Sequence, residues 1–158
     1  MYVSQVKYFQ NVDRLVRKVR SNKLGLDGSV DLIVSIAVGG VILGSLLMDR
    51  VRAPMLFVRV SSYEGKRQVH KPEVKELPST LVEWLGKPEV KNILLVDDLV
   101  DTGDTMDVVA REIGVKLSKE QRLVSLVMFA KSQALERGLA VAYLEETPSD
   151  EWIEFFYD

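Results

Sequence analysis

Four apolar residues in a row, Ile93, Leu94, Leu95 and Val96, run straight into two carboxylates, Asp97 and Asp98. A strand with one wet face alternates apolar and polar residues. This one does not, so it belongs at the centre of a sheet covered on both faces, as in parallel α/β architecture. The rest of the chain fits that demand. "DLIVSIAV" (31–38), "PMLFVRV" (54–60), "RLVSLVMFAK" (122–131) and "LAVAYLEE" (139–146) read as further strands. Phe9, Val12, Leu15, Val16 and Val19 recur at helical spacing, as do Met106, Val109, Ala110 and Ile113; residues 41–48 read as a packed helix after Gly39 and Gly40. Strands alternating with helices give an α/β fold, a single domain over residues 1–158 with a mainly parallel twisted sheet flanked by helices. Residues 61–92 carry Pro72, Pro78 and Pro88 and show weak periodicity apart from "STLVEWL". The expectation there is a poorly structured insertion that serves as a mobile active-site loop.

Bulk properties exclude several classes of function. Among 158 residues, 47% are hydrophobic and 28% charged, as in ordinary globular chains. The 21 basic and 23 acidic residues leave a net charge of −2, which calls for no nucleic-acid partner. The absence of Cys removes disulfides, thiolate nucleophiles and Cys-based zinc sites. With neither a signal-peptide pattern in "MYVSQVKYFQ" nor an 18-residue apolar run, the expected setting is the cytoplasm, without membrane contact.

The chemistry is concentrated in "ILLVDDLVDTGDT" (93–105). In open α/β sheets ligands gather beyond the carboxyl ends of the strands, and Asp97 and Asp98 are expected where the 93–96 strand ends. Asp101, Thr102, Gly103, Asp104 and Thr105 form the turn into the next helix, whose unpaired N–H groups suit a phosphate. Gly103 lets backbone approach an anion, and Thr102 and Thr105 carry donor hydroxyls. The carboxylates cannot hold that phosphate, but they can accept hydrogen bonds from sugar hydroxyls or hold Mg²⁺ through oxygen. Ribose 5-phosphate meets both requirements, in a site that the local sequence leaves without Lys or Arg. The plainer reading makes Asp101 and Asp104 helix caps and Asp97 and Asp98 solvated loop acids. A Walker B acid would need a GxxxxGK[ST] loop and an EF-hand a different acidic spacing; a receiver domain would place its acids at the first strand.

The same stretch resembles the phosphoribosyl-pyrophosphate signature of the type I phosphoribosyltransferases. "SIAVGGVILGSLL", "VRVSSYEGKRQ", "VMFAK" and "TPSDEWIEFFYD" are similar, in family order, to pieces of the 6-oxopurine branch, most closely the xanthine-guanine phosphoribosyltransferases. The resemblance implies a small hood built from the terminal segments, with a base pocket in residues 145–158. It further implies that Asp97 and Asp98 bind the ribose diol, with Asp98 the magnesium contact, and that Asp101 is the acid/base group near purine N7. Residues 102–105 would hold the 5′-phosphate of phosphoribosyl pyrophosphate or of the purine mononucleotide product. Val38, Gly39, Gly40 and Arg67 would hold pyrophosphate. Lys131 would donate to the 6-oxo group of the base, Trp152 stack on it and Ile153 supply backbone contacts. Relatives of this kind form homodimers or homotetramers.

One position departs from the resemblance. Val38 stands where the purine relatives carry a basic residue, so a side-chain cation is lost there, which Lys66, Arg67 or Lys71 would have to replace. Val38 also motivates the competing class, a nucleotide- or phosphoribosyl-pyrophosphate-binding regulator with weak or no turnover. Asp101, Lys131 and Trp152 speak for the enzyme. Taken alone, Lys131 also reads as a snorkelling lysine and Trp152 as a core or interface residue. His70 has no metal-ligand company and reads as a solvated loop residue.

Overall fold

The computed structural model describes residues 1–26, 29–64, 67–74 and 76–158, with side chains described outside 61–70. In chain order the elements are β1 (Tyr2–Val3), α1 (Gln5–Arg20), β2 (Leu32–Ala37), α2 (Gly39–Val51), β3 (Met55–Arg59), β4 (Ser61–Glu64) and β5 (Arg67–Glu73). There follow α3 (Ser79–Leu85), β6 (Asn92–Val100), α4 (Asp104–Gly114), β7 (Arg122–Lys131), α5 (Ser132–Glu136), β8 (Ala142–Thr147) and β9 (Glu154–Phe155). Five strands form one parallel sheet in the order β3-β2-β6-β7-β8, with β6 at its centre.

Alternation along the central strands divides the core. Ile33, Leu94, Val96 and Leu126 pack with Tyr8, Val12 and Leu15 of α1 and Leu43 and Leu47 of α2. Val34, Leu95 and Val127 face the opposite way, onto Leu81 and Leu85 of α3 and Met106, Val109 and Ile113 of α4. Both faces are thus covered, as the unbroken apolar run requires. Helix α1 begins where Ser4 accepts a hydrogen bond from the Lys7 amide at 3.2 Å, and it ends in Arg17, Lys18 and Arg20, cations that complement its carbonyl end. The hood is the parallel β1–β9 pair, joining the two termini over the α1 face.

Two expectations change. The strand does not stop at Val96: β6 runs on to Val100, so both acids lie within it. The reason is non-local. β2 pairs with β6 only as far as Ser35–Val96, whereas β7 continues to hold it through Asp97–Val127, Leu99–Phe129 and Val100–Ala130. Beyond Val96, β6 is therefore open on its β2 side, at the point where strand order reverses. Nor is 61–92 a structureless insertion. Its first part is the antiparallel β4–β5 hairpin. Its second part enters the core through Val74, Leu77, Leu81, Leu85 and Val90. Pro72 lies within β5, Pro78 precedes the first residue of α3 and Pro88 follows that helix.

Candidate active site

At the open side of β6 lies a cavity of about 480 Å³, a volume suited to a small polar ligand. Val38, Gly39, Asp97, Asp98, Asp101, Thr102, Gly103 and Thr105 all line it, joined by Asp158 of the C-terminus. Residues drawn from β2, β6, the start of α4 and the last turn of the chain are thus gathered in one place.

The acids are held against the start of α2. Asp97 accepts hydrogen bonds from the Gly40 amide and, at 2.9 Å, from the Asp98 amide. Asp98, only 9% exposed, accepts a hydrogen bond from the Tyr157 hydroxyl. Glycine is required beside both. A Cβ on Gly39 would lie 2.4 Å from Asp98 Oδ2, and one on Gly40 would lie 2.6 Å from the Val96 carbonyl oxygen. Burial pushes the Asp97 carboxyl well above the usual carboxylate range, and the Asp98 charge beside it adds to the rise. Burial raises Asp98 too, partly opposed by the hydrogen bonds from Tyr157 and Asp97. The Tyr157 hydroxyl is pushed up by its own burial and then by the Asp98 charge. Two coupled carboxyls that resist ionisation together suit a hard cation or a set of hydroxyl donors.

A pH dependence follows. Both folded values are raised, so the unfolded chain sheds these protons first, and the pair contributes stability only at acid pH. That contribution is full below the ordinary carboxylate range near ~4 and is lost as pH rises through the folded values. Asp97→Asn removes one charge and keeps an oxygen acceptor. In the ligand-free protein it should raise the melting temperature at neutral pH by a few degrees, about 1 kcal/mol, with little gain at pH ~4. Thermal unfolding of both proteins across pH checks this; a variant melting below the parent at pH ~7 would contradict it.

The turn after β6 is arranged for an anion. Gly103 caps α4 with φ +90°, a conformation that suits glycine. The Asp107 amide is the first to close a helical turn, on the Gly103 carbonyl at 2.9 Å. The amides of Gly103, Thr105 and Met106 therefore have no intrahelical acceptor. Two side chains of this turn are engaged with one another and with a distant arginine. The Thr102 hydroxyl donates to Asp104 Oδ2 at 3.0 Å, and Arg137 Nη2 donates to Asp104 Oδ1 at 2.8 Å. Asp104 is thereby engaged outside the cavity, and Thr102 spends its proton on it. The Arg137 hydrogen bond, followed by that from Thr102, holds the Asp104 carboxyl below its ordinary value. A turn that looked free of basic residues thus has an arginine bound behind it.

Asp101 accepts from Gln133 Nε2 at 2.6 Å and pairs with Lys131 Nζ at 3.1 Å, the lysine nearly buried and the carboxylate open to the cavity. Gly40, Lys131, Trp152 and Ile153 do not line the cavity. Gly40 faces β6 and gives its amide to Asp97, so of the 38–40 stretch Val38 and Gly39 line the cavity, with the Ala37–Val38 peptide cis. Ile153 is buried in the hood core, while the Trp152 ring is 79% exposed, flat and unoccupied by core packing. Of the loop cations, Lys66 lies outside the described residues, as do the Arg67 and His70 side chains. Lys71 is exposed, and its charge is felt at Asp104. Gln133 and Arg137 carried no local signal and reach the site only through tertiary contacts, while Tyr157 and Asp158 lie in the C-terminal segment expected to serve the base and stand instead at the acidic pair and the cavity.

With this geometry in place, comparison with known proteins is decisive for the family. The chain matches the phosphoribosyl transferase domain over residues 2–158. Its fold is similar to that of the Helicobacter pylori xanthine-guanine-hypoxanthine phosphoribosyltransferase (TM-score 0.76, 22% identity, 99% of this chain and 90% of that one covered). A purine phosphoribosyltransferase from Pyrococcus horikoshii is similar as well (TM-score 0.74, 24% identity, 98% and 91% covered). So is a Neisseria gonorrhoeae protein with bound ppGpp (TM-score 0.71, 21% identity, 100% and 89% covered). No helix among the described residues is long and apolar enough to cross a membrane. The parallel sheet, the acidic strand end and the glycine-capped helix beside it belong together: the chain is a member of the phosphoribosyl transferase domain family, a family of transferase enzymes.

Proposed function

We propose that this protein transfers the phosphoribosyl group of phosphoribosyl pyrophosphate to a 6-oxopurine, guanine, hypoxanthine or xanthine, releasing pyrophosphate and a purine mononucleotide in purine salvage. The observation that carries the reading is a single cavity with two coupled carboxylates on one side and the open amides of α4 on the other. Ribose 5-phosphate presents a diol and a phosphate at that separation of functions. The names of the Helicobacter pylori and Pyrococcus horikoshii proteins favour a purine as acceptor.

In this reading Asp97 and Asp98 orient the pentose through its hydroxyls, and the amides of Gly103, Thr105 and Met106 hold the 5′-phosphate. Lys131, already beside Asp101, donates to the 6-oxo acceptor and disfavours an amino donor at that position. The Trp152 ring offers a face to the purine. Asp101 accepts the proton lost from the base as the new C–N bond forms. The β4–β5 hairpin closes over the cavity and excludes water. The Asp97–Asp98 pair is chemically suited to hold Mg²⁺ through oxygen, with Asp98 the contact, and the ion would supply charge neutralisation on pyrophosphate. The protein acts in the cytoplasm as a homodimer or homotetramer.

A panel of purines with phosphoribosyl pyrophosphate and Mg²⁺ tests the proposal by nucleotide formation. Product is expected from at least one 6-oxopurine and not from adenine; Lys131→Gln should cut that preference by about tenfold or more. No product from any of the three 6-oxopurines would remove the reading. The second reading, a nucleotide-binding regulator with weak or no turnover, is favoured by apolar Val38 and by the ppGpp bound to the Neisseria gonorrhoeae protein. Tight nucleotide binding without product in the same panel would select it.

A further inference from the structure

Arg137 lies just past α5, and its guanidinium grips the phosphate turn from behind. Nη1 donates to the Thr102 carbonyl at 2.9 Å and Nη2 to Asp104 Oδ1 at 2.8 Å. The second oxygen of Asp104 takes the Thr102 hydroxyl at 3.0 Å, so one cation and one carboxylate fix both ends of the Thr102–Asp104 segment. Leu139 and Ala134 press on the same segment: a Cβ on Gly103 would meet Leu139 Cδ2 at 3.0 Å and the Ala134 Cβ at 3.6 Å.

Peptide geometry gives the grip a consequence in the cavity. In a trans peptide the carbonyl and the following N–H point in opposite directions. With the Thr102 carbonyl drawn back to Arg137, the Gly103 N–H is turned away from Arg137, and Gly103 lines the cavity. Charge acts in the same sense. An anion entering here meets Asp104 on the first turn of α4, and the guanidinium offsets that negative charge. Lys71 adds a smaller contribution from β5.

We propose that Arg137 is a positioning residue for phosphate binding, acting through the Thr102 carbonyl and the Asp104 carboxylate without touching the ligand. The inference rests on the ribose-phosphate reading of this cavity and adds a residue that the signature stretch does not contain. A basic residue need not face a phosphate to secure it; here it aims the amides that do.

The test is calorimetric binding of ribose 5-phosphate to the full chain and to Arg137→Ala, Arg137→Lys and the double variant Arg137→Ala/Asp104→Asn, with steady-state kinetics alongside. Arg137→Ala should weaken ribose 5-phosphate by about tenfold, a charge-assisted pair discounted for its exposure. The KM for phosphoribosyl pyrophosphate should rise by a similar factor while the KM for the purine holds, and the melting temperature should move little. Lysine should restore only part of the loss, since it cannot span both acceptors. Adding Asp104→Asn to the alanine variant should recover part of the affinity by removing the uncompensated charge. Parent-like binding by Arg137→Ala, or a loss shared equally by the purine KM, would overturn the role of Arg137 and leave the ribose-phosphate reading standing. A parent chain that bound no ribose 5-phosphate would remove both.

Discussion

Asp101→Asn is expected to lower kcat by about 10²- to 10³-fold while leaving the binding of phosphoribosyl pyrophosphate within a few-fold of the parent. The asymmetry comes from where Asp101 stands. Its carboxylate lines the cavity together with Asp97, Asp98 and the start of α4, so in the proposed reading it is not needed to hold either end of the sugar phosphate. Its partners are Lys131, read as the base contact, and Gln133 of α5. An amide at this position can still accept from either donor, so the arrangement persists while the capacity to take a proton is lost. Steady-state kinetics with varied donor and varied purine separate the effects. Equal losses in donor affinity and turnover would contradict the assignment.

Gly40→Ala should be the most damaging single-methyl addition near the site. Its new Cβ would meet backbone, the Val96 carbonyl at 2.6 Å and the Asp97 Cα at 3.0 Å, in the central strand of the sheet. Neither can turn away, so α2 must shift outward and the Gly40 amide must draw back from Asp97. Overpacking of this kind costs about 1–3 kcal/mol, and a weakened hydrogen bond to a buried carboxylate adds about 1–2 kcal/mol. A fall in melting temperature of about 10 °C is the expected result. Gly39→Ala offers the internal contrast. The nearest atoms to its Cβ are those of the Asp98 carboxylate, which can rotate at the expense of the Tyr157 hydrogen bond. The Gly39 variant should therefore lose ligand binding more than stability, and the Gly40 variant the reverse. Thermal unfolding of both, with ribose 5-phosphate titrations, decides it.

Much of the architecture was legible along the chain because its signals are local. The unbroken run at residues 93–96 announced a central strand, and the spacing of Val12, Leu15, Val16 and Val19 and of Met106, Val109, Ala110 and Ile113 announced α1 and α4. What could not be read depends on contacts far apart in sequence. Asp97 and Asp98 lie inside β6 because β7 continues to pair there, a fact of another strand. Arg137 reaches Asp104 across 33 positions and Tyr157 reaches Asp98 across 59, with no spacing rule to link them. Around "STLVEWL", which kept its periodicity and forms α3, the flanking segments looked like a loop because their apolar residues are spread among prolines and charges, although Val74, Leu77 and Val90 are committed to the core. The acids themselves were legible as chemistry, but the elements that hold them were not.

The most direct measurement is a crystal structure with a bound purine mononucleotide. The expected density places the pentose hydroxyls on Asp97 and Asp98 and the phosphate on the amides of Gly103, Thr105 and Met106, with Arg137 still on Thr102 and Asp104. A nucleotide seated elsewhere, with this cavity empty and the two acids facing only Tyr157 and α2, would contradict the central claim.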